Sequence, residues 1–437
     1  MRILLLAHTF PPYNAMGAVR ATKLAEHFLA RGHDVRVLTG APLALPATMT
    51  MSFPADRVIQ TRWLRVEAPL DLLRQRLGAR LLAGEAGTSV GGAADRPSRA
   101  RRLVAAYRDL VSLPDGQAGW LPYALAAGRK LLKSWRPDLV YSTALPFTSH
   151  LIASRLARSA QCPWVGEYRD LFTGNPYNET SAWRERANAA IERRVMASAA
   201  AIVAVTPPWR DDLAARYGKP CAAVPNGFDP GDFTRARAMT ATANLDPAKV
   251  TIVYTGIIYP GRRDPSALFD ALARLGAARG KFAVRFYGPS LEAVSVLARR
   301  HGVEDVVKVL PPVSHLASLG LQMQADLLLL LQWNDPRERA FYAGKLFEYI
   351  GAGRPILMLG CEDGVSAQLI RERRLGLVSN DAGAIAQALA GYADEKSQKG
   401  TIELPGGPNA ARGLSRADQF SALETFLTNQ GLLTAAG

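Results

Sequence analysis

Cysteine is scarce in this sequence. The chain has 437 residues and only 3 cysteines, Cys162, Cys221 and Cys361, and no two of them stand in a Cys-x-x-Cys spacing. An odd number of scattered thiols predicts neither a disulfide framework nor a structural metal site, and it favours a reducing compartment such as the cytoplasm. There is also no Asp-x-Asp cluster and no histidine-rich ligand set, so we expect a site that needs no metal and no cofactor.

Long apolar runs are missing as well. The longest one after the N-terminus, around Leu327 to Leu331, is far too short to span a bilayer. The apolar stretch from Met1 to His8 is too short for a secretory signal peptide and passes directly into loop residues. We therefore expect neither a membrane-spanning helix nor a signal peptide.

Acidic residues are too few to balance the basic ones. Lys+Arg number 53 against 38 Asp+Glu, which gives a net charge of +15. Such a surplus predicts an anionic partner, and phosphate, a lipid headgroup and nucleic acid all remain open on charge alone. Nucleic acid is disfavoured because no recognised binding module or pattern of stacking aromatics accompanies the charge.

Many arginines and few acids fall between Arg74 and Arg108. An exposed basic loop or helix pair explains this segment, and so does peripheral contact with the anionic inner face of a membrane.

Apolar runs typical of buried strands alternate with helical patterns through both halves of the chain. This alternation predicts an α/β protein with doubly wound sheets, and the length favours two domains. The Pro- and Gly-rich break PNGFDPGDF, 225–233, marks the best boundary. We predict domains at 1–228 and 229–415, and a C-terminal helix and tail, 416–437, that could pack back on the first domain.

The stretch RERAFYAGKLFEYIGAGRPIL, 337–357, lies between two apolar runs and is predicted to be a loop that enters a short helix. Helix starts at the carboxyl ends of strands are where open α/β sheets bind phosphate groups. Lys345 and Glu348 share one face of this helix and would offer a cation for phosphate and a carboxylate for hydroxyls. A solvated ion pair explains the same spacing.

Two glycine-marked strand ends precede that stretch, at Gly256 and at Gly288. After the first, Arg262 and Arg263 stand directly before Asp264-Pro265, a good helix start, which predicts an anion site. Two surface arginines are the alternative. It is weakened because a helix N-terminus normally prefers acidic side chains.

In the first half, the strand Trp164 to Tyr168 leads into the polar and aromatic loop Arg169 to Ser181. Glu167, Arg169 and Asp170 crowd opposite charges there, either as a structural ion-pair cluster or as carboxylates that hold an acceptor's hydroxyls. His150, early in a helix, is expected to be a core or capping residue.

A further glycine, Gly17, starts the first helix. It would admit a ligand's phosphate or sugar, or serve a tight turn.

Taken together, PNGFD, GHDV and KLFEYIGAGRPIL resemble motifs of the retaining, nucleotide-sugar-dependent glycosyltransferases of family 4. This family has the GT-B fold, with two Rossmann-like domains that face a cleft, and the subgroup looks like enzymes of bacterial polysaccharide and glycolipid assembly. The resemblance implies a nucleotide-diphosphate sugar held mainly by the second domain and an acceptor on the first. No metal is implied.

The resemblance also implies roles for individual positions. Glu348 would bind the donor's ribose, Gly288 would border the nucleobase, and Gly17 would lie beneath the donor sugar. The implied donor-binding positions are Gly17, Gly256, Arg262, Arg263, Gly288, Lys345, Leu346 and Glu348. The implied acceptor-binding positions are Glu167, Arg169 and Asp170. Catalytic roles fall to Arg263, Lys345 and Asp170.

Two positions depart from the family pattern. Ala340 stands eight residues before Glu348, where a second acid usually contacts the donor sugar, and Ile257 replaces the usual phosphate-loop arginine. We expect Lys345 to replace the lost cation. Two other functions stay open: a nucleotide-sugar 2-epimerase, and an inactive subunit that binds nucleotide sugars.

Overall fold

The computed structural model of the protein describes residues 1–65, 111–178, 180–239, 245–259 and 261–434. They form two compact units. Unit 1 comprises Met1–Val224 and Ala422–Gly437, and unit 2 comprises Pro225–Ser421. The predicted basic segment, 74–108, lies outside the described residues.

Unit 1 is built on a parallel sheet of seven strands in the order β3-β2-β1-β4-β5-β6-β7. The strands are β1 (Arg2–Leu6), β2 (Asp34–Gly40), β3 (Val58–Thr61), β4 (Leu139–Ala144), β5 (Trp164–Tyr168), β6 (Ala201–Ala204) and β7 (Cys221–Ala223). The helices of this unit are α1 (Met16–Ala30), α2 (Leu121–Leu132), α3 (Thr148–Ala160), α4 (Ala182–Met196) and α5 (Pro207–Tyr217).

The central strand β1 is apolar and buried after its first residue, Arg2. In β1, Ile3 pairs with Val35 on one side and with Leu139 on the other, and all three side chains are fully buried. Strands covered on both faces read as continuous apolar runs, because neither face meets water. Burial of each such side chain contributes about 1.5–3 kcal/mol, which makes the strand run a strong determinant of the fold.

Unit 2 contains a second parallel sheet, of six strands in the order β10-β9-β8-β11-β12-β13. The strands are β8 (Val250–Thr255), β9 (Phe282–Tyr287), β10 (Val307–Leu310), β11 (Leu327–Leu331), β12 (Ile356–Leu359) and β13 (Gly376–Val378). The helices are α6 (Pro230–Ala238), α7 (Ser266–Arg274), α8 (Glu292–Arg300), α9 (His315–Gln324), α10 (Leu346–Ala352), α11 (Val365–Glu372) and α12 (Ala382–Lys399).

The last helix, α13 (Arg416–Asn429), begins in unit 2 and ends in unit 1. Within unit 1, the Glu424 carboxylate accepts a hydrogen bond from Arg31 Nε at 3.0 Å and lies 3.2 Å from His27 Nε2. Both partners stand at the end of α1, so this carboxylate fixes the end of the chain to that helix. No helix in the described ranges has the length and apolar composition to cross a bilayer.

In each sheet the strand order reverses at one point, between β1 and β4 in unit 1 and between β8 and β11 in unit 2. The loops at the carboxyl ends of the two strands diverge there and leave a crevice, which is where open α/β sheets bind ligands. The residues predicted for the site lie at or after the carboxyl ends of β1, β5, β8, β9 and β11. The α/β class with doubly wound sheets is confirmed.

Candidate functional site

Two glycines bring backbone segments into close approach beside β8. Gly256 has φ +134°, and a Cβ atom there would lie 2.7 Å from Lys345 Cε. A Cβ atom on Gly288 would lie 2.1 Å from the Gly256 carbonyl oxygen. Neither position has room for a side chain, and the φ of Gly256 is one that other residues rarely adopt. The glycines therefore let the Lys345 side chain lie across the end of β8.

Lys345 and Glu348 form a half-exposed pair at the start of α10. Lys345 stands at the N-cap position without a side-chain cap hydrogen bond, and its Nζ lies 3.6 Å from Glu348 Oε2, with 30% and 27% of the two side chains exposed. Exposed pairs at this spacing contribute little to stability, so the pair is not explained by a need of the fold. Both groups remain accessible to a ligand.

Gln322 supports Glu348 from beneath, and sequence reasoning missed it. This residue of α9 is completely buried, and its Nε2 donates to Thr255 Oγ1 at 3.1 Å and to Glu348 Oε2 at 3.4 Å. The amide thus links the end of β8 to the carboxylate on α10. The signal in the sequence was weak: a glutamine on the inward face of an otherwise apolar helix.

His315, the first residue of α9, belongs to the same electrostatic cluster. Contact with Asp232 raises the pKa of His315, burial lowers it, and the charge of Glu348 raises it further. Lys345 acts in the opposite direction. The net effect keeps more of this imidazole protonated near neutral pH, beside the Lys345–Glu348 pair.

The two arginines after β8 fold back on neighbouring residues. Arg263 Nη1 donates to the Ile257 carbonyl at 2.8 Å, and its guanidinium lies 4.9 Å from the centre of the Tyr259 ring. The Arg262 guanidinium lies 5.0 Å from the Trp333 ring. The helix that follows, α7, starts at Ser266, two residues later than predicted, with Pro265 as its N-cap residue. The Asp264 carboxylate accepts from the Ser266 amide at 2.9 Å.

Leu346 was predicted to bind the donor, and the structure does not fit that role. Its side chain is fully buried in the apolar core of unit 2, and its amide donates to the Ala343 carbonyl at 2.9 Å. Leu346 therefore anchors α10 to the sheet.

In unit 1 the structure brings Gly17 and Arg169 together. A Cβ atom on Gly17 would lie 2.0 Å from Arg169 Nη1, so only glycine leaves room for the guanidinium at the start of α1. Arg169 also donates from Nε to the Ala144 carbonyl at 3.0 Å and from Nη2 to the Leu145 carbonyl at 2.6 Å. Burial lowers the pKa of Arg169 and raises that of Asp170, and the Arg169 charge opposes the second effect.

Glu167 was predicted to contact the acceptor, and this role does not fit either. Its side chain is fully buried, accepts from Arg20 Nη2 at 2.8 Å and accepts from the Tyr141 hydroxyl at 2.9 Å. Burial alone raises the pKa of Glu167, but the Arg20 guanidinium outweighs it and the net pKa is lowered. Glu167 and Arg20 form a structural ion pair in which both side chains are buried.

His150 lies in the core, as expected. It is fully buried, its Nδ1 lies 2.8 Å from Ser142 Oγ, and burial lowers its pKa to about 3.

The loops that follow β1 to β5 line an open cavity of about 640 Å³ within unit 1. The walls include His8, Trp63, Asp115, Phe172 and Asn188. Burial lowers the pKa of His8 to about 4, so this imidazole is neutral at pH 7. The Asp115 carboxylate accepts from the Thr148 amide at 2.8 Å and the Thr148 hydroxyl at 2.7 Å, which caps α3.

Most of unit 1 matches the model of a known domain family. The model that matches is described as a glycosyl transferase 4-like domain, and the match covers residues 17–227. This part of the chain therefore resembles that family. A search of curated protein sequences gives no match.

Solved structures of glycosyltransferases match along nearly the whole chain. The Anabaena protein HepE in complex with UDP has 14% identity and a TM-score of 0.59, over 98% of this chain and 100% of that one. Sucrose-phosphate synthase from Thermosynechococcus elongatus has 15% identity and a TM-score of 0.59, over 98% of both chains. The lipopolysaccharide outer core galactosyltransferase WaaB in its apo form has 12% identity and a TM-score of 0.58, over 98% of this chain and 100% of that one.

At these identities the structural matches establish the fold, and the fold is GT-B. The prediction of a GT-B fold is confirmed, and the family match over residues 17–227 supports the prediction of a glycosyltransferase. The retaining mechanism, the sugar, the acceptor and the roles of single residues stay predictions.

Proposed function

We propose that this protein is a retaining, metal-independent glycosyltransferase that moves a sugar from a nucleotide-diphosphate sugar to a hydroxyl acceptor. The acceptor would be a glycolipid, a polysaccharide intermediate or a natural product. The observation that carries the proposal is the cluster of Gly256, Gln322, Lys345 and Glu348 at the switch point of unit 2. At one edge of the sheet, this cluster combines a cation, a carboxylate and a glycine that lets a ligand come close to the backbone. The UDP bound to HepE supports a nucleotide donor.

Each side chain of the cluster can bind a different part of the nucleotide sugar. The Glu348 carboxylate accepts hydrogen bonds from both ribose hydroxyls, and Gln322 holds it in place from the buried side. The Lys345 ammonium lies on the diphosphate, next to the backbone that Gly256 leaves bare. Arg262 and Arg263 add positive charge after β8, and Gly288 borders the base. Asp170 binds the hydroxyl of the acceptor.

The chemistry needs positive charge where the leaving group forms. Breaking the bond between sugar and diphosphate creates an oxocarbenium-like centre and a leaving group of growing negative charge, which cations stabilise. Lys345 and Arg263 supply them without a metal. No group of three or more His, Cys, Asp or Glu side chains within the described ranges has a metal-binding arrangement. In a retaining reaction the departing phosphate can take the acceptor's proton, so no strong general base is required.

The first experiment is a thermal-shift screen against UDP-, GDP-, ADP- and dTDP-sugars, because a ligand that binds only the native state raises its melting temperature. The donor that stabilises the protein is then incubated with and without acceptors, and products are followed by NMR. Transfer to an acceptor with the anomeric configuration unchanged is expected. Isomerisation of the donor without acceptor would instead identify a 2-epimerase, and binding without any turnover an inactive subunit.

Glu348→Gln tests the site itself. Loss of the charge on a hydrogen-bonded carboxylate should cost about 1.5–3 kcal/mol of donor binding, that is about 10–150-fold in Kd. The matched control is Glu304→Gln, because Glu304 is an exposed acid on the same unit. Equal donor affinity in the wild type and Glu348→Gln would show that this carboxylate does not bind the donor.

We also propose peripheral contact with anionic membrane through the basic segment, 74–108. Sedimentation with anionic liposomes at low salt, and release at high salt, is the expected result. Failure to sediment at low salt would remove the proposal.

A further inference from the structure

We propose that the cavity of unit 1 binds an apolar group attached to the acceptor sugar, so that the preferred acceptor is an amphipathic glycoside. The inference rests on the proposed function, because it assigns a substrate class to the acceptor side of the same reaction. The cavity opens at the carboxyl ends of β1 to β5, the edge of the sheet at which Gly17 and Arg169 also lie.

Rigid apolar and aromatic side chains form much of the wall. The Phe172 ring stacks on Phe147, with the ring centres 4.3 Å apart and the planes inclined by 12°. Trp63 Nε1 donates to the Pro42 carbonyl at 2.7 Å, which fixes the indole on the opposite loop. Side chains that are already fixed in this way bind an apolar group at low entropic cost, because they need not be ordered on binding.

Leu45 extends the apolar wall to the solvent. It lines the cavity, yet 41% of its side chain is exposed. An exposed leucine by itself is ordinary. Leu43 and Pro146 line the same cavity, so Leu45 continues an apolar surface that leads inwards.

Two buried polar atoms in the lining point to hydroxyl groups on the ligand. His8 and Asn188 are only 6% and 4% exposed, and His8 Nε2 and Asn188 Oδ1 have no hydrogen-bond partner among the described residues. A buried polar atom without a partner costs about 1–3 kcal/mol, so a ligand hydroxyl towards which either side chain turns gains affinity. A wholly apolar ligand would leave both atoms unsatisfied. Sugar hydroxyls joined to an apolar group match both features of the lining.

Binding of short glycosides tests this directly and needs no turnover. Octyl and methyl glycosides of glucose, galactose and N-acetylglucosamine are titrated by NMR below the micelle concentration, and each octyl glycoside is compared with the methyl glycoside of the same sugar. We expect the octyl member of at least one pair to bind roughly tenfold tighter or more, since each buried methylene favours binding.

Leu45→Asp should remove that preference, because it places a charge on the apolar wall. The matched control is Leu64→Asp, the same substitution in the same unit at a residue that is 59% exposed and outside the lining. Leu64→Asp should keep the wild-type preference. Equal binding of octyl and methyl glycosides by the wild type, or an unchanged preference in Leu45→Asp, overturns the inference.

The donor side is measured in the same variants. Nucleotide-sugar binding by thermal shift should be identical in the wild type, Leu45→Asp and Leu64→Asp, because the proposed donor site lies on unit 2. A protein that binds octyl glycosides as described but neither binds nor turns over any nucleotide sugar would contradict the proposed function and leave the cavity assignment standing. The two failures are therefore distinguishable.

Discussion

Lys345→Met is the substitution whose effect follows most directly from the structure. It removes the charge and keeps the length of the side chain, whose stem lies against Gly256. Two unit charges 4 Å apart interact by about 4 kcal/mol at an effective dielectric constant of about 20. The side chain is 30% exposed, so water and salt screen part of this attraction. We expect a loss of about 1.5–3 kcal/mol, or about 10–150-fold in affinity for a nucleoside diphosphate.

Calorimetric titration with UDP and with uridine measures the effect. If the donor carries another base, the nucleoside diphosphate and the nucleoside of that base are used instead. The UDP affinity should fall by the stated factor, whereas the uridine affinity should not change, because uridine has no phosphate. Lys308→Met, at an exposed lysine on β10, is the control and should leave both affinities unchanged. The rate of transfer should fall as well, since charge on the leaving group grows during the reaction.

Two results would refute this reasoning. An unchanged UDP affinity would show that Lys345 does not lie on the diphosphate and that its contact with Glu348 is only a surface ion pair. An equal loss of UDP and uridine affinity would show that the substitution alters the shape of the site and not its charge.

Three further predictions concern other parts of the chain. Gly256→Ala should weaken nucleotide binding in titrations, because its Cβ would lie 2.7 Å from the lysine's Cε at φ +134°, whereas Gly320→Ala, with open space, should not. Arg20→Met leaves Glu167 buried without its cation and should lower the free energy of unfolding in urea by about 3–5 kcal/mol; a loss below about 1 kcal/mol would contradict this. The pKa of His8 is lowered from 6.5 to about 4 in the folded protein. The unfolded chain therefore takes up a proton at this histidine as the pH falls from 6.5 to 4, while the folded protein does not, and the free energy of unfolding falls over that range. His8→Leu should therefore reduce the loss of unfolding free energy between pH 7 and 4 by about 3 kcal/mol, and an unchanged loss would contradict it.

Most of the strands, though not β3 and β13, and the edge of the sheet at which the site lies were readable from the sequence. A run such as that of β11, Leu327–Leu331, is apolar throughout because both faces of a parallel sheet are covered. The loop and short helix after it follow from the change in periodicity, and the i,i+3 spacing of Lys345 and Glu348 is local. Properties that depend on neighbours along the chain were therefore predictable.

Properties that depend on distant neighbours were not. The carboxylate of Glu167 looked available in the sequence, yet its partner Arg20 stands 147 positions earlier and buries it. Gln322 reaches Glu348 only because α9 packs against the end of β8. The cavity of unit 1 is formed by loops from five strands, so no single stretch of sequence contains it. Leu346 was placed in the site by the family resemblance, whereas its own apolar side chain is buried in the core.

The most direct test of the central claim is a crystal structure of the protein with UDP. The account predicts that both ribose hydroxyls lie about 3 Å from the Glu348 carboxylate and that a phosphate oxygen lies about 3 Å from Lys345 Nζ. A nucleotide bound elsewhere on the chain, or one whose ribose and phosphates contact neither side chain, would contradict it.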